Sequence, residues 1–210
     1  MPDYKQDRLA GRILACRHCI EEPDGKPLPH EPRPVLRISP TSRIAVCGQA
    51  PGIRVHASGV PFTDPSGVRL RAWMGVTQAE FYDVSQIAIV PMGFCFPGQD
   101  SKGGDLPPRR ECALLWRNDV FATLKHLQLI LLVGRYSQEW HLGQGAAKAG
   151  LSSTVANWRQ WLSQTSAPAC LPLPHPSWRN SGWLKRNPWF EVELLPVLRS
   201  KVRSLLKVSD

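Results

Sequence analysis

The sequence predicts an α/β fold: a single-domain three-layer α/β/α sandwich around a central four-stranded parallel sheet. Short apolar runs closed by glycine or proline recur along the chain, and stretches with helical spacing separate them. The runs are apolar on both faces, as strands covered by helices on both sides must be. A length of 210 residues, 42% of them hydrophobic, suits one sizeable core without a composition break that would demand a second.

Taken in order, residues 8–15 predict a short helix, and the proline-rich stretch 21–40 excludes regular helix and reads as an extended strap around the core. Residues 43–47 form a short apolar run closed by Gly48, which suits a first buried strand. Leu70, Trp73 and Met74 at helical spacing predict a helix over 67–75, and 87–90 a second strand. After a loop over 91–108, a helix is expected over 111–124 and a third strand, closed by Gly134, over 127–134. Helices over 136–142 and 155–162, a fourth strand over 171–174 and a closing helix over 191–206 complete the pattern; Pro196 should kink or divide the last. In such a sheet the active cleft lies at the carboxyl ends of the strands.

Composition narrows the partners. Lys and Arg outnumber Asp and Glu by 26 to 17, a net charge of +9 that favours a polyanion such as nucleic acid. No apolar run is long enough for a membrane span, and Met1-Pro2-Asp3-Tyr4 lacks the layout of a secretion signal, so the expected location is the cytoplasm. In a reducing compartment the six cysteines point to a metal site or to buried thiols rather than to disulfides.

Two loops at predicted strand ends carry the chemistry: Gly48, Gln49, Ala50, Pro51 and Gly52 after the first strand, and His175, Pro176 and Ser177 after the last. Between them, residues 60–67 place Pro61 and Phe62 ahead of a helix. Together these motifs resemble the uracil-DNA glycosylase superfamily, over roughly residues 16–198. The resemblance implies a DNA-repair enzyme, acting as a monomer on DNA containing a damaged base, that flips out a deaminated base (uracil foremost), hydrolyses its N-glycosidic bond and leaves an abasic site.

Each part has a physical rationale. An extruded base needs an aromatic ring to stack on, here Phe62, and a loop of small residues whose backbone can approach it, here Gly48 to Gly52. Glycosidic cleavage leaves negative charge on the departing base, so a donor must face its oxygen; His175 fits. Gln49 and Ala50 depart from the resemblance, because the superfamily's branches carry Glu or Asp at these places, and a Gln side chain is no base at neutral pH. Asp64 is then the candidate for holding the attacking water or for acting as an electrostatic partner of the cationic sugar, with capping of the following helix as its alternative role; His56 is a second titratable group nearby. Pro91 falls where an amide-bearing Asn reads uracil in the resemblance, so either another group reads the base or the preferred lesion is a different one, such as hypoxanthine or an alkylated base.

Beyond His175, Ser177, Trp178, Arg179, Lys185 and Arg186 mix an aromatic side chain with cations, which suits phosphate contacts and a wedge filling the gap left by the base; Trp178 or Arg179 is the candidate wedge. Arg109 and Arg110 are further phosphate candidates. Cys16 and Cys19 form a Cys-x2-Cys pair, and Cys95 and Cys112 bracket sixteen residues. That spacing resembles the iron-sulfur branch of the superfamily and implies a 4Fe-4S cluster on these four sulfurs, although zinc would take the same donors. Cys47 and Cys170 read as small buried hydrophobes. A catalytically weak metal-containing DNA-binding module is the alternative from another class.

Overall fold

The computed structural model describes residues 4–163 and 168–206. Its strands are β1 (Ile44–Cys47), β2 (Ile87–Ile89), β3 (Leu129–Val133) and β4 (Ala169–Leu173), all parallel in the order β2-β1-β3-β4. Val46 pairs with Ile89 on one side and with Leu131 on the other. The two faces of the pleat feed two cores. Ile44, Val46, Ile87, Ile89, Leu129, Leu131, Leu171 and Leu173 enter one, while Ala45, Cys47, Ala88, Val90, Ile130 and Leu132 enter the other. Both faces are therefore apolar, and the strands show no polar alternation in sequence.

Helices α1 (Tyr4–Leu14), α2 (His18–Glu21), α3 (Ile53–Ser58), α4 (Pro65–Met74) and α5 (Gln78–Tyr82) precede or flank β1 and β2. They are followed by α6 (Arg110–Thr123), α7 (Arg135–Ala156), α8 (Trp158–Leu162), α9 (Ser181–Arg186) and α10 (Leu195–Leu206). α4, α5, α8 and α10 pack on the first face, with Trp73, Phe81, Trp158 and Leu198 buried there. α1 and α6 cover the second with Ile13 and Val120. Thr77 and Glu80 close a reciprocal capping box on α5, and Arg203 of α10 pairs with the Glu80 carboxylate. The three-layer arrangement expected from sequence is present.

Several elements differ from the sequence expectation. α3 and α5 fall where the sequence pattern assigns no element, because five or six residues give too little periodicity to register. α7 extends the first helix expected between β3 and β4 as far as Ala156, with Gly143 (φ 77°) and Gly150 (φ 75°) breaking its backbone geometry, and α8 stands in the place of the second. Residues 178–189, expected to be an irregular loop, fold into a 3-10 turn at Trp178–Asn180 and then α9. Trp183 explains this: its ring is buried in the first core and its indole N–H donates to Ser152 Oγ at 2.7 Å. Before α10 a π-helical turn, Phe190–Leu194, breaks the pattern one residue ahead of Pro196, which has no N–H to give. The strap pairs Arg37 antiparallel with Ile89, covering the free edge of β2. Among the described residues no helix is long and apolar enough to cross a membrane.

Candidate functional site

The loops leaving β1 and β2 are stitched together, with the Met92 N–H donating to Gly48 O at 2.9 Å and the Gly93 N–H to Gln49 O at 3.0 Å. Beside them, at the carboxyl ends of the strands, opens a cavity of about 520 Å³. Gly48, Gln49, Ala50, Pro51, Gly52, Phe62, Asp64, Pro91, His175, Ser177, Trp178 and Arg179 all line it. Residues more than a hundred positions apart are thereby brought to one surface.

Phe62 is held in place with unusual care. Its φ of 57° is left-handed, a conformation costing a residue with a Cβ about 1 kcal/mol or more. Gly67 makes room for it, since a Cβ there would fall 1.8 Å from Phe62 O. Phe81 meets the Phe62 ring edge-on at 5.9 Å, Arg71 donates to Phe62 O at 3.2 Å, and the Tyr82 hydroxyl donates to Pro61 O at 2.7 Å. On the other side Gly48 lies so close that a Cβ would stand 3.3 Å from the ring. The ring is a fixed wall of the cavity and no ordinary core Phe.

His175 faces the same cavity. The Ser177 N–H donates to its Nδ1 at 3.2 Å, which requires that nitrogen to be unprotonated and leaves the proton on Nε2. Burial lowers the imidazole pKa below the usual histidine range, and the Asp64 and Asp105 charges oppose this without reversing it. The ring is thus neutral at neutral pH and offers one N–H donor. Asn180 Nδ2 donates to His175 O at 2.7 Å, and Arg69 donates to Ser177 O at 3.0 Å, which fixes the turn.

Asp64 takes the capping role and also stands at the cavity. It caps α4, accepting from Gly67 N–H at 3.4 Å and from Ser66 Oγ at 2.8 Å, and it also lines the cavity. Gln49 turns outward from acid chemistry altogether: its Nε2 donates to Leu106 O at 3.2 Å. The sequence reading passed over Asp105 and Gln99, which enter the cavity from the loop between β2 and α6. The glycines at 103 and 104 beside Asp105 mark a tight turn, but which strand end the turn folds against is a tertiary matter.

At the rim Trp178 is 75% exposed, with the Arg179 guanidinium 5.8 Å from its ring centre. A large exposed aromatic beside a cavity is what a wedge requires. Lys185 and Arg186 lie exposed in the last turn of α9 and do not line the cavity. Arg109 is not a free cation, since it pairs with Glu111 at 2.7 Å and donates to Lys26 O. His56 sits against His30 and Phe96 and is not among the residues lining the cavity, and burial lowers its pKa.

Cys16, Cys19, Cys95 and Cys112 line a second cavity, apolar and only about 10 Å³, together with Ile13, Phe94 and Trp116. None of these cysteines is in a disulfide. Among the described residues no three potential ligands converge as one small ion would require. Burial raises the Cys95 thiol to about 12 and pushes Cys112 up as well. Arg109 stands beside Cys19, and its Nη2 is buried without a hydrogen-bond partner. Cys47 is fully buried in β1, and burial raises the pKa of Cys170 in β4 to about 11.

The fold gathers an aromatic wall, a neutral imidazole and small-residue backbone at one cavity at the strand ends. The family model described as the uracil DNA glycosylase superfamily matches residues 37–199, and the chain belongs to that superfamily. It is accordingly a DNA glycosylase, a hydrolase whose partner is DNA. The match begins after Cys16 and Cys19, so it covers the lining of the cavity of His175 and Phe62 except for Val35, and the cysteine cavity only in part.

Proposed function

We propose that the chain excises a deaminated base, uracil foremost, from DNA by hydrolysis without a covalent intermediate. The observation that carries this reading is the meeting at one cavity of Phe62 and His175, whose Nδ1 is already taken by the Ser177 N–H. The base stacks on Phe62, its oxygen accepts from His175, and the C1′–N bond breaks with its electron pair leaving on the base. A neutral donor suits this step, because charge then develops on the base alone. Trp178 fills the vacated stack while Arg179 contacts phosphate, and Lys185 and Arg186 extend the phosphate contact outward.

A second reading stands on Pro91. It lines the cavity and has no amide to read the uracil edge. A base such as hypoxanthine or an alkylated purine, which makes no demand on that position, is the alternative. Purified protein incubated with duplexes carrying uracil, hypoxanthine, xanthine or an alkylated base, followed by alkali, separates the two. Cleavage at uracil supports the first reading, cleavage at another lesion alone the second. Release of no base by protein that still binds DNA leaves a binding module.

Cys16, Cys19, Cys95 and Cys112 are proposed to hold a 4Fe-4S cluster. The donor set fits: four thiols share one dry pocket, and the unpartnered Arg109 Nη2 beside Cys19 would face the net negative charge of a thiolate cluster. Ligands on the four irons of a cubane need not converge on one point as zinc ligands do, which favours iron over zinc. When bound, the cluster supplies a tether between the N-terminal segment and the loop between β2 and α6. Iron and acid-labile sulfide at about four each per chain support it, and stoichiometric zinc instead would replace it.

A further inference from the structure

We infer that Asp105 supplies the carboxylate that holds the attacking water, and that Gln49 is the residue that delivers it. This assignment rests on the glycosylase reading above and names the group which that reading left open.

Both carboxylates at the cavity belong to loops, but their engagements differ. Asp64 accepts Ser66 Oγ on both oxygens at 2.8 Å and the Gly67 N–H on one, so it is committed to the cap of α4. Asp105 accepts Gln99 Nε2 on Oδ1 at 3.2 Å, while Oδ2 points towards Gly52, 3.1 Å from where a Cβ would stand. Glycine at 52 thus clears the space that this oxygen occupies. Asp105 lines the cavity that holds His175 and Phe62.

The turn carrying Asp105 is built from its own side. Asp100 Oδ1 accepts the Lys102 and Gly104 N–H groups, each at 2.8 Å, and the Leu106 N–H donates to Gly98 O at 3.0 Å. Gln49 then clips the turn to the loop after β1 through its bond to Leu106 O, one residue beyond Asp105. A carboxylate at position 49 accepts only and could not make that bond. The amide at 49 and the acid at 105 therefore form one device, with the acid moved from the first loop to a neighbour that the first loop holds.

In the reaction, water's oxygen adds its lone pair to C1′ as the base departs. The water proton passes to the Asp105 carboxylate and from there, through solvent, to the base anion. One water is consumed, and an abasic sugar and a neutral base result, with no oxidant or reductant.

The test is single-turnover excision on whichever base of the panel the wild type releases. Asp105→Asn should slow the rate about a hundredfold with unchanged affinity for an uncleavable abasic-analogue duplex and an unchanged melting temperature. Asp105→Gly should regain rate on addition of formate, which a merely structural role would not allow. Gln49→Ala should also slow the rate, and the double variant Gln49→Ala with Asp105→Asn should be no slower than Asp105→Asn alone. Wild-type rate in Asp105→Asn, alongside loss in His175→Ala, overturns this assignment and leaves the glycosylase reading intact. A wild type that releases no base overturns both.

Discussion

The two cavities of this molecule use opposite physics. The cavity at the strand ends measures about 520 Å³ and gathers Asp64, Asp105, His175 and Arg179 around an aromatic wall. The cysteine cavity measures about 10 Å³, is lined by apolar groups and thiols, and burial pushes its thiols away from ionisation. Open space with fixed polar groups suits a substrate that enters and leaves, whereas a small pocket lined by apolar groups and thiols suits a permanent resident. Variants in the first should therefore change rate and leave stability, and variants in the second should do the reverse.

His175→Ala should produce the largest change in rate. Loss of the single donor to the departing base predicts a hundred- to thousandfold fall in single-turnover rate with little change in melting temperature. A variant that loses its fold instead would erase the distinction between the cavities. Phe62→Ala comes next: stacking of about 1–3 kcal/mol predicts weaker capture of the flipped base, seen as a tenfold or larger fall in excision. Cys95→Ser sharpens the other side. It should lower iron content and melting temperature together while the remaining folded fraction excises at close to the wild-type rate; a rate loss without a stability loss would contradict the tether role.

The smallest effect is a pH dependence outside both cavities. Arg117 is fully buried, donates to Val90 O and Pro91 O behind the base cavity, and contacts His141 Nε2 at 2.6 Å. Burial, and secondarily the Arg117 charge, lowers the His141 pKa to about 3. The unfolded chain therefore binds this proton first as pH falls. Stability contributed by neutral His141 is intact above the unfolded value near 6.5 and is lost progressively towards pH 3. Replacement by Gln, which keeps an acceptor without titrating, should flatten the fall of melting temperature between neutral pH and about pH 4. An identical fall in both proteins would show that other groups dominate acid unfolding.

Much of the site was legible because its chemistry is written in adjacent residues. Gly48 to Gly52 and His175 to Ser177 are short runs at strand ends, and the cavity brings both motifs to one surface as the strand order requires. Asp64 was legible as both cap and wall. Asp105 was not, because its meaning depends on Gln49 and Gly52, more than fifty positions earlier, and no local pattern links them. Arg109 misled for the same reason: a free surface cation and a half-buried partner of Glu111 look alike in sequence.

By itself the sequence determined the layering, since apolar runs of strand length between helical segments have few ways to bury both faces, and it determined which residue types could perform the chemistry. The tertiary structure decided which of those residues meet. It turned Phe62 over Gly48, left His175 with one N–H to offer, and bent the Asp105 turn towards Gly52. Periodicity reports burial along one element, whereas a site depends on contacts between elements whose separation in the chain carries no local trace.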